Sequence, residues 1–310
     1  MRPRNHWARR SEQLDPVRDS HEISLHVSAH DFPWDNLQAL SFALFRTYAV
    51  PSIGRLLDQT GEFTGRVQKR YDDTGILLEE VQRHGLGSRR GRSAVRRINQ
   101  MHAMYDISND DFRYVLATFV VVPKRWMDDH GFRTMTPNEV AATTNYYIEL
   151  GRHMNIKDVP ADYAGFERLL DDYEREHFAF DEGGRRVADA TLDLMTTFRP
   201  NSWAPKWVVR RFAFSLMDDP LLRAFRYPIP SRFERRLFRG AMRVRARLLR
   251  FFPARSKPKW VSTYSYFRTY PAGYEIDDLG TFHQSHQSPQ GHQSPHAPLR
   301  ANPEPGEAVS

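Results

Sequence analysis

The sequence of 310 residues contains no cysteine. Disulfides, iron–sulfur clusters, thiolate-ligated haem and cysteine-based zinc sites are therefore excluded, and any metal must be held by His, Asp, Glu, Tyr or Met. The absence leaves the redox compartment open, because a chain without cysteine folds in either setting. Long apolar runs are missing as well. The longest, residues 115–122, is far short of the roughly 20 residues needed to span a bilayer. At the N-terminus Arg9-Arg10 is a twin arginine, but Ser11-Glu12-Gln13 follows where the apolar region of an export signal would stand. The expectation is a cytoplasmic protein without signal peptide or transmembrane segment, with attachment to a membrane surface left open. There is no glycine-rich phosphate loop with its lysine and no Gly-x-Ser-x-Gly elbow, which removes nucleotide chemistry and serine hydrolysis. Convincing alternating strands are lacking too, so the expected fold class is all-α.

What the chain does have is bulk and helical punctuation. Aromatic residues make up 13% of it, and no linker is visible inside residues 30–275, so a single multi-helix domain is expected over residues 23–275. Residues 1–22 read as a disordered N-terminal arm, and residues 276–310, rich in His, Gln, Ser and Pro, as a disordered tail. Thr64 is the N-cap candidate for a helix that bears Arg70 and Thr74 and ends at Gly85, and Ser93 or Gly91 for a helix bearing His102. Thr136-Pro137-Asn138-Glu139 has the capping-box pattern with proline at the first helical position, which predicts a helix over residues 137–150. The run at 115–122 has a β-branched end, but the cap cluster Ser108-Asn109-Asp110-Asp111 before it and Pro123 after it suit a buried helix that kinks or ends at the proline.

Two helical stripes each carry a polar residue on the face that ought to be buried. In the first, Val67, Leu77 and Val81 recur at helical spacing while Arg70 and Thr74 fill the middle positions, one turn apart. In the second, Val95, Ile98 and Tyr105 form the stripe, and His102 stands between Ile98 and Tyr105 on the same face. A buried guanidinium needs an anion, and an imidazole aimed at the same interior is either its satisfied neighbour or a metal ligand. Taken singly, Arg70 would pair with a carboxylate such as Asp72 or Glu79, and His102 would be a core histidine with its hydrogen bonds met. Taken together they admit a haem. Its iron accepts a neutral imidazole from one helix, and its propionates or bound oxygen offer the arginine an anionic partner, with the Thr74 hydroxyl able to donate into the same cavity.

Other small motifs carry less. Glu174-x-x-His177 has the spacing found in carboxylate-bridged di-iron bundles, but the second such motif that chemistry needs is not found. His102 with Asp106 could share a metal or simply hydrogen-bond, and Glu149 with His153 reads as a solvated pair.

The arrangement Arg70-x-x-x-Thr74, then Ile98-Asn99-x-Met101-His102, Phe112-x-Tyr114-Val115-Leu116 with Pro123-x-x-Trp126, and the Thr136-Pro137-x-Glu139 helix resembles the MpaB and latex-clearing rubber oxygenase family over about residues 40–200. The resemblance implies an all-helical fold and a haem b whose iron is held by the histidine matching His102. It implies that Arg70 and Thr74 lie near the haem and support activity, and that dioxygen is used to cleave carbon–carbon double bonds of isoprenoid chains to aldehyde or ketone ends. Asp73 stands where the rubber-cleaving branch has a lysine able to occupy the other side of the iron, and residues 51–55 offer no carboxylate where that branch has a candidate catalytic glutamate.

The expectation is therefore a haem-dependent oxygenase acting on an apolar alkene, with a non-catalytic helical protein that binds haem or an apolar ligand as the alternative. The net charge of +7 is largely local. Residues 231–259 hold eleven Lys or Arg against the single acid Glu234, and without a zinc finger, an RNP-like motif or a basic zipper no nucleic-acid partner is expected. Residues 231–252 read as a helix with Phe233, Leu237, Ala241, Val244, Leu248 and Phe252 on one side and arginines on the other. That pattern fits an interfacial helix making a peripheral membrane contact, and equally a core helix with a solvated basic face.

Overall fold

The structure, a computed structural model, describes residues 2–281. Among these residues there are fourteen α-helices and no strand, so the class is all-α. The first six are α1 (His6–Ser11), α2 (Ser20–Leu25), which runs on into a π-helical turn, α3 (Pro33–Thr47), α4 (Pro51–Gln59), α5 (Glu62–Gly65) and α6 (Val67–His84). Then come α7 (Arg89–His102), α8 (Asn109–His130), α9 (Pro137–His153), α10 (Tyr163–His177) and α11 (Glu182–Thr196). The last three are α12 (Lys206–Leu216), α13 (Asp219–Ala224) and α14 (Arg232–Leu249).

Local chemistry accounts for most of these boundaries. The Ser108 hydroxyl accepts from the Asp111 amide to start α8, which passes through Pro123 without ending there. Thr136 and Glu139 close the expected capping box of α9, and Ser231 and Glu234 close another at α14. Two caps fall elsewhere than expected. Thr64 lies inside the short α5, where its hydroxyl donates to the Gly61 carbonyl, and α6 begins at Val67 without a side-chain cap. α7 opens one turn earlier than expected, at Ser88, because the Ser88 hydroxyl accepts from the Gly91 amide.

The domain also reaches further at both ends than its composition suggests. Residues 1–22, expected to be a disordered arm, contain α1 and part of α2, with Ala8, Ser11 and Ser20 buried. Asn138 on α9 donates to the carbonyls of Ser11 and Leu14 at 2.7 and 3.2 Å, and Asn145 donates to that of Pro16 at 2.9 Å. Those carbonyls leave no trace in a polar side-chain composition, and the remaining anchors are scattered, such as the Trp7 indole donating to the Arg255 carbonyl at 2.9 Å. At the other end Ile276 and Leu279 are buried against α6 and α7, which moves the boundary from 275 to at least 280. The histidine-rich remainder of the expected tail lies outside the described residues.

α8 is the hub, with α3, α9 and α10 packed around it. Tyr114 on α8 is fully buried and donates to Glu174 of α10 at 3.2 Å, and Arg46 of α3 bridges Glu174 and Asp218. That occupies the glutamate of Glu174-x-x-His177, while His177 lies edge-on to Tyr173 at 4.1 Å. Beside this core α4 and α11 cross at Gly54 and Gly184. A Cβ on either glycine would overlap the Tyr48 carbonyl, so the crossing requires glycine and holds the end of α3 between the two helices.

Candidate functional site

α6 carries its charges on two faces with different fates. Four acids, Asp72, Asp73, Glu79 and Glu80, are buried toward the C-terminal segment 260–280. Asp72 accepts from the amides of Arg268 and Thr269 at 3.1 and 2.9 Å, and from the Thr269 hydroxyl. Asp73 takes the Lys69 ammonium at 2.7 Å and the Tyr270 hydroxyl. Glu79 accepts from both the amide and the hydroxyl of Ser262, and Glu80 from Tyr274 and Arg90. Every acid on α6 is engaged.

Arg70 and Thr74 lie on the opposite face, turned into the domain. Neither Asp72 nor Glu79 reaches the guanidinium, and Arg70 forms no ion pair among the described residues. Its one hydrogen-bond partner is the Thr74 hydroxyl, which in turn donates to the Arg70 carbonyl at 2.9 Å. An aromatic wall stands around it. The Phe63 ring centroid is 5.5 Å from the Arg70 guanidinium carbon, and Tyr48 meets Phe63 edge-on at 5.4 Å. Burial pushes the Tyr48 phenol up to about 12 although the Arg70 charge acts the other way, so Tyr48 is neutral. The half-buried cation thus faces a wall without a carboxylate, an arrangement that is costly unless an anion completes it.

His102 closes α7 and points into the same region. Burial first, and then the Arg70 charge, hold its imidazole at about 4, so the ring is neutral near pH 7 and keeps a free lone pair. Its Nδ1 is buried without any hydrogen-bond partner, and Phe112 of α8 lies edge-on to the ring at 5.2 Å. Asp106 forms no ion pair with it. The pair Glu149 and His153 is 3.9 Å apart and exposed, as a solvated pair should be. An open groove of about 510 Å³ runs along the neighbouring face of α7, lined by Arg92, Arg96, Asn99, Gln100 and His153. His102 does not line it.

The structure therefore brings together Arg70, Thr74 and His102, and adds Tyr48 and Phe63. Tyr48 sits in the periodic stripe of α3 and Phe63 in a short connecting helix, and neither position carries a spacing that marks it as more than core. Among the described residues no three His, Asp or Glu side chains converge as a metal site. A metal at His102 would need its remaining ligands from the molecule that carries it.

The family described as ER-bound oxygenase mpaB/B'/Rubber oxygenase, catalytic domain, matches residues 31–247, which include all five of these residues. The chain belongs to that family. The ER-bound oxygenase mpaB' of Penicillium brevicompactum is 30% identical over 74% of this chain and 58% of its own length. The ER-bound oxygenase mpaB of the same organism is 28% identical over 67% of this chain and 58% of its own length. The mpaB of Penicillium roqueforti (strain FM164) is likewise 28% identical, over 67% of this chain and 76% of that protein. The chain thus spans less than two thirds of the length of the first two relatives. No helix among its described residues is long and apolar enough to cross a membrane.

Proposed function

We propose that this chain is a haem b-dependent oxygenase that uses dioxygen to cleave a carbon–carbon double bond in an apolar alkene of the isoprenoid or polyene class. The observation that carries the reading is the pairing of a neutral imidazole, whose Nδ1 is buried without a hydrogen-bond partner, with a cation lacking a carboxylate. Leaving a buried ring nitrogen unsatisfied costs about 1–3 kcal/mol. An iron held by that nitrogen would remove the cost. Arg70 answers the other half of a haem, because a propionate or another anion bound beside the iron would neutralise its charge. The residues present fit the group.

In this reading His102 would hold the haem iron, and the haem would supply the redox chemistry of dioxygen that no side chain here can supply. The protein's own contribution is orientation and exclusion. Thr74 holds the Arg70 guanidinium by accepting its hydrogen bond, with its own proton committed to the Arg70 carbonyl. Phe63, Phe112 and Tyr48 keep the site apolar, which suits an alkene and disfavours water. Asp73 is taken up by Lys69 and Tyr270. That the family and its relatives are oxygenases by name supports the reading.

A second reading, a haem-binding protein without turnover, is favoured by the engaged Asp73 and by residues 51–55, which carry no carboxylate, Ser52 donating to Asp111 and Arg55 binding Asp181. The visible spectrum of the protein made with ample haem, compared with His102→Ala, tests the site. A Soret band in the parent that is lost or strongly shifted in the variant supports it, and no band in either after reconstitution refutes both readings. Dioxygen consumption with isoprenoid alkenes separates oxygenase from carrier.

A further inference from the structure

α14 is inverted relative to an ordinary surface helix. Its buried residues are Met242 and Ala246, whereas Phe233, Leu237, Val244 and Leu248 are between 54% and 74% exposed. At about 3.6 residues per turn these four side chains form one outward stripe, and Phe252 continues it just beyond the helix. The reading as a core helix with a solvated basic face is thereby excluded. The arginines divide into two sets. Those facing the body are engaged: Arg235 with Asp219, Arg239 with the Ser215 carbonyl at 2.9 Å, and Arg245 with Asp35 at 2.8 Å and stacked on Trp34. Those outside, Arg232, Arg236, Arg243 and Arg247, are exposed, lie along one flank of the apolar stripe and form no ion pair among the described residues.

We infer that this face of α14 docks on the surface of an anionic lipid bilayer, its apolar stripe entering the acyl boundary and its flanking arginines meeting lipid phosphates. Charge complementarity selects this occupant. A second copy of the chain would bring the same unneutralised arginines to the contact, and Glu234, the one acid of residues 231–259, is already held by Arg211 at 2.6 Å. A bilayer offers apolar depth and a sheet of anionic phosphates together. Aromatic anchoring supports the same side. Contacts from Arg211 to Glu234 and from Phe212 to Phe238 set α12 alongside α14 and running the same way. They place exposed Trp207, one turn before Arg211, near the start of α14. The inference is independent of the haem reading, since binding to vesicles requires no cofactor.

The test is flotation of the full chain with vesicles of phosphatidylcholine alone and of phosphatidylcholine containing roughly one third phosphatidylglycerol. The parent should float with the anionic vesicles and less so at high salt. The combined variant Phe233→Ser, Leu237→Ser, Leu248→Ser should lower binding about tenfold or more. The variant Arg236→Gln, Arg243→Gln, Arg247→Gln should lower it on the order of fivefold per arginine, on anionic vesicles only. Because the chain has no cysteine, Val244→Cys can carry a polarity-sensitive dye whose emission should move to the blue on the same vesicles. No flotation of the parent, flotation unchanged in both variants, or a dye that does not respond overturns the proposal. So does a parent dimer that the serine variant dissociates without any vesicle binding.

Discussion

Arg70 and Thr74 bind each other in a closed exchange: the guanidinium donates to the hydroxyl, and the hydroxyl donates to the carbonyl of the same arginine one turn earlier. This makes Thr74 a positioning residue for the cation. Thr74→Val keeps the shape and removes the acceptor, whereas Thr74→Ser keeps it. If Arg70 meets an anionic group of the haem, release of haem to a scavenger protein should quicken about fivefold in the valine variant, the equivalent of ~1 kcal/mol, and stay near the parent rate in the serine variant. Equal rates in all three proteins would remove Thr74 from the site.

The Arg70 charge helps to hold His102 in its neutral form, after the larger effect of burial. Replacing Arg70 by Leu should therefore let the His102 titration move upward in haem-free protein, followed by NMR of the ring. A titration that stays where it was would mean that the guanidinium charge is not felt at the imidazole.

The crossing of α4 and α11 has no room for a Cβ at Gly184, where the Tyr48 carbonyl and the Gly54 backbone close the space. Gly184→Ala should lower stability by about 1–3 kcal/mol in urea unfolding. Because Tyr48 stands in the wall around Arg70, the same change should also weaken haem retention if haem binds beside that arginine. A destabilised variant with parental haem affinity would separate the crossing from the site.

Acid should loosen the N-terminal helices. Burial first, and then Arg10, hold buried His26 at about 4, its Nδ1 lying 3.1 Å from the Ser11 hydroxyl of α1. Its ordinary value is about 6.5. Between these values the unfolded chain binds a proton that the folded one refuses, so stability rises with pH there. The contribution is complete above about pH 6.5 and is lost as pH falls to about 4, at most about 3 kcal/mol for this group. Urea midpoints across that window should slope accordingly, and His26→Gln should flatten the slope.

Helical character and the inward aim of Arg70, Thr74 and His102 were legible because each is a matter of local spacing. The capping boxes at Thr136 and Ser231 were legible for the same reason, being chemistry over three residues, although the second was read only as a helix start. What could not be read is what distant segments do to each other. Nothing near Asp72 or Glu79 announces that residues 262–269 will claim them and leave Arg70 without an acid. Tyr48 and Phe63 look like ordinary core until the fold sets them beside that arginine. The reach of the N-terminal arm was not legible because its partners lie far along the chain: α9 side chains donate to the carbonyls of Ser11, Leu14 and Pro16, and the Trp7 indole donates to the Arg255 carbonyl. α14 shows the limit from the other side: its two faces were evident in the sequence, but which one meets solvent depended on Asp35 and Asp219, both outside the helix.

The acids of α6 acquire some of their partners very late in the chain: Asp73 and Tyr270 are 197 residues apart. During synthesis on a ribosome, Asp73 can pair with Lys69 and Glu80 with Arg90 early, but Asp72 and Glu79 wait for their donors at residues 262–269 while almost all of the domain is made, and burying them without those donors is unfavourable throughout that time. The hairpin of α6 and α7, which presents Arg70 and His102, should consolidate only after residues 262–280 have emerged. Nascent chains stalled before residue 260 should accordingly remain open to protease within residues 67–102, whereas released chains should be protected there. Protection of that hairpin in the stalled chains would show that it consolidates without its C-terminal strap.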